Sequence, residues 1–178
     1  PVEIVLVTKH PVFEYYPALY KLVTGALPIE VSVPINTIFR KTSLQIIEGT
    51  YTGVDQGRQV ITITTQDGTR EEKYDYLVLA LGSETNFFNI KGLPEFSYSF
   101  KSVDAALKLK RHFCQLFALA QDRSKEDLVA MLHVLIVGGG PSGVELAGDL
   151  RSYLTRVAQE HGVDPSFVTI DLIESNNR

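Results

Sequence analysis

The sequence has little of what would mark a metal site, a disulfide-linked domain or a nucleic-acid binder. Its 178 residues include one cysteine, Cys114, and four histidines, without the spacing of metal ligands or a disulfide pair. The formal net charge is −4 and the 17 Lys and Arg residues are dispersed, which disfavours nucleic acid. We therefore expect no metal site and no nucleic-acid partner, and we predict that Cys114 is a small buried apolar residue.

Long apolar runs are also absent. No run approaches the roughly 18 residues that indicate a membrane span, and the first residues lack the basic-then-apolar order of a secretory signal. Apolar residues make up 44% and charged residues 21% of the chain, close to globular averages. The composition predicts a soluble protein, and the single cysteine fits a reducing compartment. Because the chain starts inside a strand-like run and stops soon after another, we expect it to be a piece of a longer protein.

The first half of the chain predicts strands with one short helix. VEIVLV, at residues 2–7, is typical of a buried parallel strand, and the two prolines of residues 8–17 predict a loop before a helix over residues 18–27. The dipeptide Asp67-Gly68 predicts a type I′ hairpin turn. YLVLALG, at residues 76–82, is continuously apolar and predicts a central strand covered on both faces.

Residues 102–127 predict a long helix and then a boundary. Ser102 is a plausible N-cap for a helix that runs from about Val103 to Gln121. The segment DRSKED, at residues 122–127, is short and polar and carries both charge signs, which favours a domain boundary.

An apolar strand then runs directly into glycines, in VLIVGGGPSG at residues 134–143. The spacing Gly138-x-Gly140-x-x-Gly143 is the dinucleotide fingerprint, and no Lys followed by Ser or Thr makes it a P-loop. The first glycine allows a tight turn, the second lets a pyrophosphate approach, and the third lets the helix lie close to the strand. Pro141 suits the first helical turn, where unpaired N–H groups attract an anion. The predicted cofactor-binding residues here are Gly138, Gly139, Gly140, Pro141, Ser142 and Gly143.

The next residues complete a strand-helix-strand unit. FVTIDLIES, at residues 167–175, predicts a second parallel strand with Glu174 at its end. A carboxylate there binds the ribose hydroxyls of adenosine and repels the 2′-phosphate of NADPH. A solvated strand-end carboxylate is the alternative, and the nearby Arg178 leaves NADPH open. The predicted apolar face of the helix consists of Val144, Ala147, Leu150, Leu154, Val157 and Ala158.

Three segments give the chain a resemblance to a known family: YDYLVLALGSETNFFNIKGLPE (74–95), VGGGPSGVELAGDL (137–150) and FEYYPALYKLVTG (13–25). With these segments the chain resembles the two-dinucleotide-binding flavoprotein reductases, and most closely the type II NADH dehydrogenases, which are NADH:quinone oxidoreductases. The resemblance implies an α/β fold of two Rossmann-like units, in which an NADH half interrupts a FAD half that carries an antiparallel β-hairpin insertion. Both halves would be incomplete, with residues 1–121 as a partial FAD-binding domain and residues 122–178 as a partial NADH-binding domain.

The resemblance also implies residues for the two cofactors. Thr8, in place of the family's usual acid, and Lys9 fall where the FAD ribose is contacted, and the backbone of Tyr51 faces the flavin adenine. Ala80, Leu81 and Gly82 match the segment that passes the FAD phosphates. Glu145 matches a glutamate near the nicotinamide and flavin rings, which would orient the cofactor or assist proton delivery to quinone. We place Glu145 in the first helical turn, where a simple interaction with the helix dipole is the alternative.

The implied reaction is hydride transfer from NADH to FAD and electron transfer to a quinone, for which the protein supplies position and electrostatics. The whole protein would lie in the cytoplasm as a peripheral protein on the inner face of a membrane, in contact with it through regions outside this chain. A homodimer stays open, and the piece alone is expected to be inactive. Two alternatives also stay open: a soluble FAD-dependent NAD(P)H reductase with another acceptor, and a noncatalytic nucleotide-binding or interaction module.

Overall fold

Strands and helices alternate along the chain in a computed structural model that describes residues 2–175. The strands are β1 (Ile4–Thr8), β2 (Val12–Glu14), β3 (Ser32–Pro34), β4 (Leu44–Glu48), β5 (Thr50–Asp55), β6 (Val60–Thr65), β7 (Gly68–Lys73), β8 (His133–Val137) and β9 (Thr169–Ile173). The helices are α1 (Leu19–Val23), α2 (Ile35–Ile38), α3 (Leu93–Phe96), α4 (Val103–Ala120), α5 (Lys125–Met131) and α6 (Pro141–Glu160). The predicted α/β class is confirmed.

The chain forms two compact units. The first unit runs up to Phe13 and from Ser32 to Glu84, and the second comprises residues 14–31 and the chain from Thr85 onward. Residues 122–127 lie within the second unit and contain the start of α5. The division into residues 1–121 for FAD and residues 122–178 for NADH concerns which cofactor each part binds, and it stays a prediction.

The first unit contains a parallel strand pair and an antiparallel three-stranded sheet. β1 runs parallel to β4, with Ile4 opposite Leu44, and the order of the other sheet is β5-β6-β7. The parallel strand predicted at residues 2–7 is confirmed, but its predicted burial is wrong, since Ile4 is 60% and Val5 39% exposed. Within residues 2–175 only one strand pairs with β1. The small core of this unit is formed by Ile47, Ile61 and Ile63, with Val7, Tyr51, Tyr74 and Leu77 packed against it.

The hairpin between β6 and β7 is confirmed, but its predicted turn is wrong. Thr65 pairs with Gly68, so the two loop residues are Gln66 and Asp67 rather than Asp67 and Gly68. A type I′ turn needs a positive φ at both loop residues, whereas here the positive φ, +122°, belongs to Gly68. Glycine is thus used one position later than predicted, at the first residue of β7, where its missing Cβ permits that conformation.

The central strand predicted at residues 76–82 is also wrong. This segment has no regular secondary structure. Most of its apolar side chains are open to solvent, with Tyr76 95%, Val78 84% and Leu81 68% exposed, while Leu77 is half-buried. A strand exists only when a neighbour satisfies its backbone hydrogen bonds. No strand within residues 2–175 pairs with this segment, so its apolar composition alone does not make it one.

The second unit is built on packed helices. α4 has its predicted N-cap, since the Oγ of Ser102 accepts a hydrogen bond from the backbone N–H of Ala105 at 3.1 Å. α1 confirms the short helix predicted over residues 18–27, although it ends at Val23, shortly before Gly25 with its φ of +121°. Residues 8–17, predicted as a loop, contain β2, most of which lies in the first unit and pairs there with β3.

Cys114 is exposed, so its predicted burial is wrong. The buried stripe of α4 consists of Ala106, Phe113, Phe117 and Ala120, and Cys114 lies one position, about 100°, away from it. Its neighbour Tyr153 of α6 is partly buried. That burial, and then the proximity of Cys114, raise the pKa of the Tyr153 hydroxyl.

Candidate dinucleotide site

The candidate site lies where β8 turns into α6, beside the end of β9. β8 and β9 are parallel and pair from His133–Thr169 to Val137–Ile173. The N–H of Gly138 donates to the carbonyl oxygen of Ile173 at 2.8 Å, which extends the pairing by one residue into the glycine loop. The φ of Gly138 is +118°, in the region that favours glycine. The predicted tight strand-to-helix turn is confirmed.

Gly143 brings the helix against this turn. A Cβ added at Gly143 would overlap the carbonyl oxygen of Gly138, far inside van der Waals contact. Any side chain at this position would force the first turn of α6 away from the end of β8. The predicted close approach of helix and strand is therefore confirmed.

Gly140 and Pro141 form the start of α6. Pro141 lies in the first helical turn, as predicted, and Gly140 is the N-cap. A Cβ on Gly140 would meet no atom within 4 Å, so the space next to its backbone is open. Within residues 2–175, the N–H groups of Gly140 and Ser142 make no hydrogen bond. Unpaired amides at the positive end of a helix dipole, next to open space, fit a diphosphate.

Glu174 is held against the same loop. Its Oε2 accepts a hydrogen bond from the N–H of Gly139 at 2.8 Å. Its Oε1 accepts from the N–H of Ser175 at 2.7 Å and from the Ser175 hydroxyl at 3.1 Å. The carboxylate at the end of β9 thus has a defined orientation, although it lies at an exposed position. Arg178, which left NADPH open, lies outside the described residues.

Two contacts of Glu174 were not anticipated from the sequence. Gly139 was predicted as part of the phosphate loop, but a Cβ there would lie 3.0 Å from the Glu174 Cβ and 3.1 Å from its Oε2. Ser175 was not singled out at all, although a serine directly after a strand-end acid is a hydroxyl donor within reach of that carboxylate.

Glu145 lies on the exposed side of α6, and its predicted place is wrong by one turn. The first turn of α6, which starts at Pro141, contains no acidic residue, so Glu145 follows in the second turn. The predicted apolar face of α6 is wrong at one position, because Val144 is 56% exposed whereas Leu146 is buried. Leu150, Leu154, Val157 and Ala158 are buried as predicted.

The residues predicted for FAD lie in the first unit, in two settings. Thr8 ends β1; its carbonyl oxygen accepts from the N–H of Gly49 at 2.9 Å and its hydroxyl donates to the carbonyl of His10 at 2.9 Å. Lys9, which follows, is exposed, and Tyr51 is half-buried in β5. By contrast, Ala80, Leu81 and Gly82 lie in exposed chain without a strand partner, and the φ of Gly82 is +77°.

Two further properties concern the described chain as a whole. No helix within residues 2–175 has the length and apolar character needed to cross a bilayer. In the same part of the chain, no three His, Cys, Asp or Glu side chains are grouped as metal ligands would be.

Several known proteins resemble this chain. A family model described as pyridine nucleotide-disulphide oxidoreductase matches residues 1–170. The chain is 34% identical over 156 residues to demethylphylloquinone reductase of Synechocystis, covering 86% of this chain and 37% of that protein. It is 30% identical over 173 residues to the type II NADH:quinone oxidoreductase of Mycobacterium tuberculosis, covering 96% of this chain and 36% of that protein.

A solved structure with the same fold is NDH2 from Plasmodium falciparum in complex with NADH. The TM-score is 0.91 at 28% identity, over 98% of this chain and 37% of that one. The chain thus spans little more than a third of the length of the relatives it matches.

Proposed function

Because this chain belongs to the pyridine nucleotide-disulphide oxidoreductase family, we propose that the whole protein is a FAD-dependent NADH:quinone oxidoreductase. Two of the relatives above are named as reductases of quinones, and the similar structure is a complex with NADH. Bound FAD would supply the redox chemistry between the hydride of NADH and the two-electron reduction of the quinone, and the protein would hold and orient both cofactors.

The observation that carries the proposal is the pairing of the open N-terminus of α6 with the oriented carboxylate of Glu174. The N–H groups of Gly140 and Ser142 would hold the NADH diphosphate, and Glu174 would accept hydrogen bonds from the adenosine ribose. A 2′-phosphate at that ribose would meet a carboxylate of the same charge sign, which favours NADH over NADPH.

The first unit would supply the FAD contacts. We assign the ribose to Thr8 and Lys9, the adenine to the backbone at Tyr51, and the phosphates to the segment from Ala80 to Gly82. The positive φ of Gly82 supports the assignment of the phosphates, because a glycine there offers backbone groups without a side chain.

Glu145 is the residue we propose to act on the reacting end of the cofactor. It is exposed on α6, one turn beyond the diphosphate site. A carboxylate there can orient a nicotinamide amide group or deliver a proton to a reduced quinone.

A quinone dissolved in lipid as acceptor implies that the protein works at a membrane surface. We therefore propose a peripheral protein on the cytoplasmic, inner face, in contact with the bilayer through parts outside residues 2–175. A homodimer belongs to the same proposal, and the mass of the purified full-length protein in detergent tests it.

The experiment that tests the function is the purification of the full-length protein, followed by three measurements. Flavin absorbance, NADH titration and quinone reduction with and without added membrane or detergent should all be positive, with reduction stimulated by the membrane. NADH binding without flavin would instead identify a noncatalytic module. NADH oxidation that needs neither quinone nor membrane would identify a soluble reductase with another acceptor.

A further inference from the structure

We infer that Gly139 and Ser175 set the preference for NADH over NADPH, by fixing the Glu174 carboxylate against the glycine loop. The inference rests on the proposed function, because it concerns how this chain holds the adenosine end of NADH. Both residues act through Glu174, so they are positioning residues. Neither touches the reacting atoms.

The hydrogen bonds hold the carboxylate from two sides. The Gly139 N–H binds Oε2 at 2.8 Å, while the N–H and hydroxyl of Ser175 bind Oε1 at 2.7 and 3.1 Å. Glu174 is an exposed side chain with three rotatable bonds, and without such contacts it would sample several rotamers. Donors to both oxygens fix the plane of the carboxylate as well as its position.

The loop also restricts where the Glu174 side chain can lie. A Cβ at Gly139 would come within 3.0 Å of the Glu174 Cβ and 3.2 Å of its Cγ. These atoms lie at the base of the side chain, so they cannot move away without displacing the carboxylate. At Gly139, where the general pattern allows any residue, even an alanine would thus require the Glu174 side chain to shift by a few tenths of an ångström.

A fixed carboxylate discriminates more strongly than a mobile one. If the side chain can rotate, the carboxylate can turn away from a 2′-phosphate, and the like-charge repulsion that excludes NADPH is weakened. If Gly139 and Ser175 hold it in place, the repulsion is retained. Loss of either contact should therefore lower the ratio of the affinity for NADH to the affinity for NADPH, while the diphosphate is still bound.

The test measures the affinities of the full-length holoenzyme for ADP-ribose and for its 2′-phosphorylated form by calorimetric titration, and it compares their ratio between variants. Both ligands lack the reacting nicotinamide. The variants are Ser175→Ala, which removes one donor, and Gly139→Ala, which displaces the side chain. The matched controls are Ser175→Thr, which keeps the hydroxyl, and Gly148→Ala on α6, where a Cβ meets nothing within 4 Å. Glu174→Gln removes the charge itself, and melting temperatures verify that every variant is folded.

We expect the affinity ratio to fall roughly three- to tenfold in Ser175→Ala and Gly139→Ala, which is the size of the usual net contribution of one hydrogen bond in a protein. It should fall further in Glu174→Gln and remain at the wild-type value in both controls. A ratio that changes in Glu174→Gln but in neither positioning variant would overturn the inference. An equal loss of affinity for both ligands would also overturn it, because it would indicate damage to the diphosphate loop.

The same titrations separate this inference from the proposed function. If the wild-type protein binds neither ligand, the function itself is wrong, and the inference is rejected with it. If the wild type binds both and Glu174→Gln leaves the ratio unchanged, the nucleotide site stands while the role of the carboxylate and its two partners is rejected.

Discussion

Of two similar apolar runs that each end in glycine, one forms a strand and the other does not. VLIVG, at residues 134–138, lies largely in β8, which pairs with β9 along its whole length, and Gly138 then begins the turn into α6. LVLALG, at residues 77–82, forms no strand, and Leu79 is 54% exposed. The difference shows that composition supplies the tendency to form a strand, and that a partner within reach makes it one. A strand-helix-strand unit contains its own partner within about 40 residues of continuous chain.

The same difference separates the two candidate cofactor segments. In the glycine loop, Gly138, Gly139 and Glu174 are fixed by hydrogen bonds to one another and to β9. Around Ala80–Gly82, the backbone has no sheet to hold it within residues 2–175. The proposed NADH site can therefore be tested residue by residue from this structure, whereas the segment proposed for the FAD phosphates has no strand partner among residues 2–175.

The largest effect is expected from Gly143→Val, which would disrupt the glycine loop between β8 and α6. The new side chain would overlap the carbonyl oxygen of Gly138, a backbone atom that cannot move without opening the turn. We expect a loss above about 4 kcal/mol in the free energy of unfolding, and loss of NADH binding. Chemical denaturation and NADH titration of the full-length protein measure both.

Gly148→Ala is the matched control for this substitution. It adds a Cβ to the same helix in open space, and it should be neutral or stabilising by up to about 1 kcal/mol. Equal effects of the two substitutions would contradict the packing at Gly143.

The next largest effect is expected from truncating a leucine of α6, and it is compared with truncation of a leucine in residues 76–82. Leu150 of α6 is 1% exposed and Leu79 is 54% exposed. In the 178-residue chain, Leu150→Ala should lower the free energy of unfolding by about 2 to 5 kcal/mol, and Leu79→Ala by less than about 0.5 kcal/mol. Urea denaturation of the two variants gives the comparison. Equal costs would contradict the exposed position of residues 76–82.

The full-length protein sharpens this comparison. There, a large cost for Leu79→Ala would mean that the segment joins a sheet with residues outside the described chain. A small cost would mean that it stays exposed, and the FAD phosphates would then need another site.

A smaller effect, on rate rather than stability, is expected from Glu145→Gln. Glu145 is exposed, so its replacement should leave folding intact. If its carboxylate orients the cofactor or delivers a proton, kcat should fall roughly tenfold or more while the Kd for NADH changes less than about twofold. Steady-state kinetics and NADH titration separate the two quantities, and an unchanged kcat would refute the role.

The smallest effect is expected at Asp164, which caps the short turn before β9. The N–H of Ser166 donates to its Oδ1 at 2.9 Å, and this backbone hydrogen bond lowers the pKa of Asp164. Since the folded pKa lies below the unfolded one, the stabilisation is present above about pH 4 and is lost as the pH falls through the folded pKa. Asp164→Ala should melt slightly below wild type at pH 7, and the difference should shrink as the pH falls below about 4. A difference that persists there would mean that packing, not charge, is responsible.

The sequence predicted the site better than the packing around it. The end of β8 at Val137 and the place of Pro141 in the first turn of α6 follow from steric needs of single residues. Which side of α6 is buried does not, because Val144 and Leu146 are both apolar and lie about 200° apart on the helix. Packing in the second unit decides between them, and it buries Leu146.

Contacts between residues distant in sequence were the hardest to predict. The hydrogen bond from Gly139 to Glu174 joins residues 35 apart, and it exists only because β8 and β9 are parallel neighbours in one register. The hairpin turn was misplaced by one residue for a related reason, since the register of β6 and β7 determines which two residues form the loop. At residues 76–82 the composition favoured a strand, but no partner is available among the described residues.

The most direct test of the central claim is a structure of the full-length protein with NADH bound. The account predicts the diphosphate against the N–H groups of Gly140 and Ser142, with the adenosine ribose at the Glu174 carboxylate. A diphosphate bound elsewhere, or no uptake of NADH by the intact protein, would contradict it.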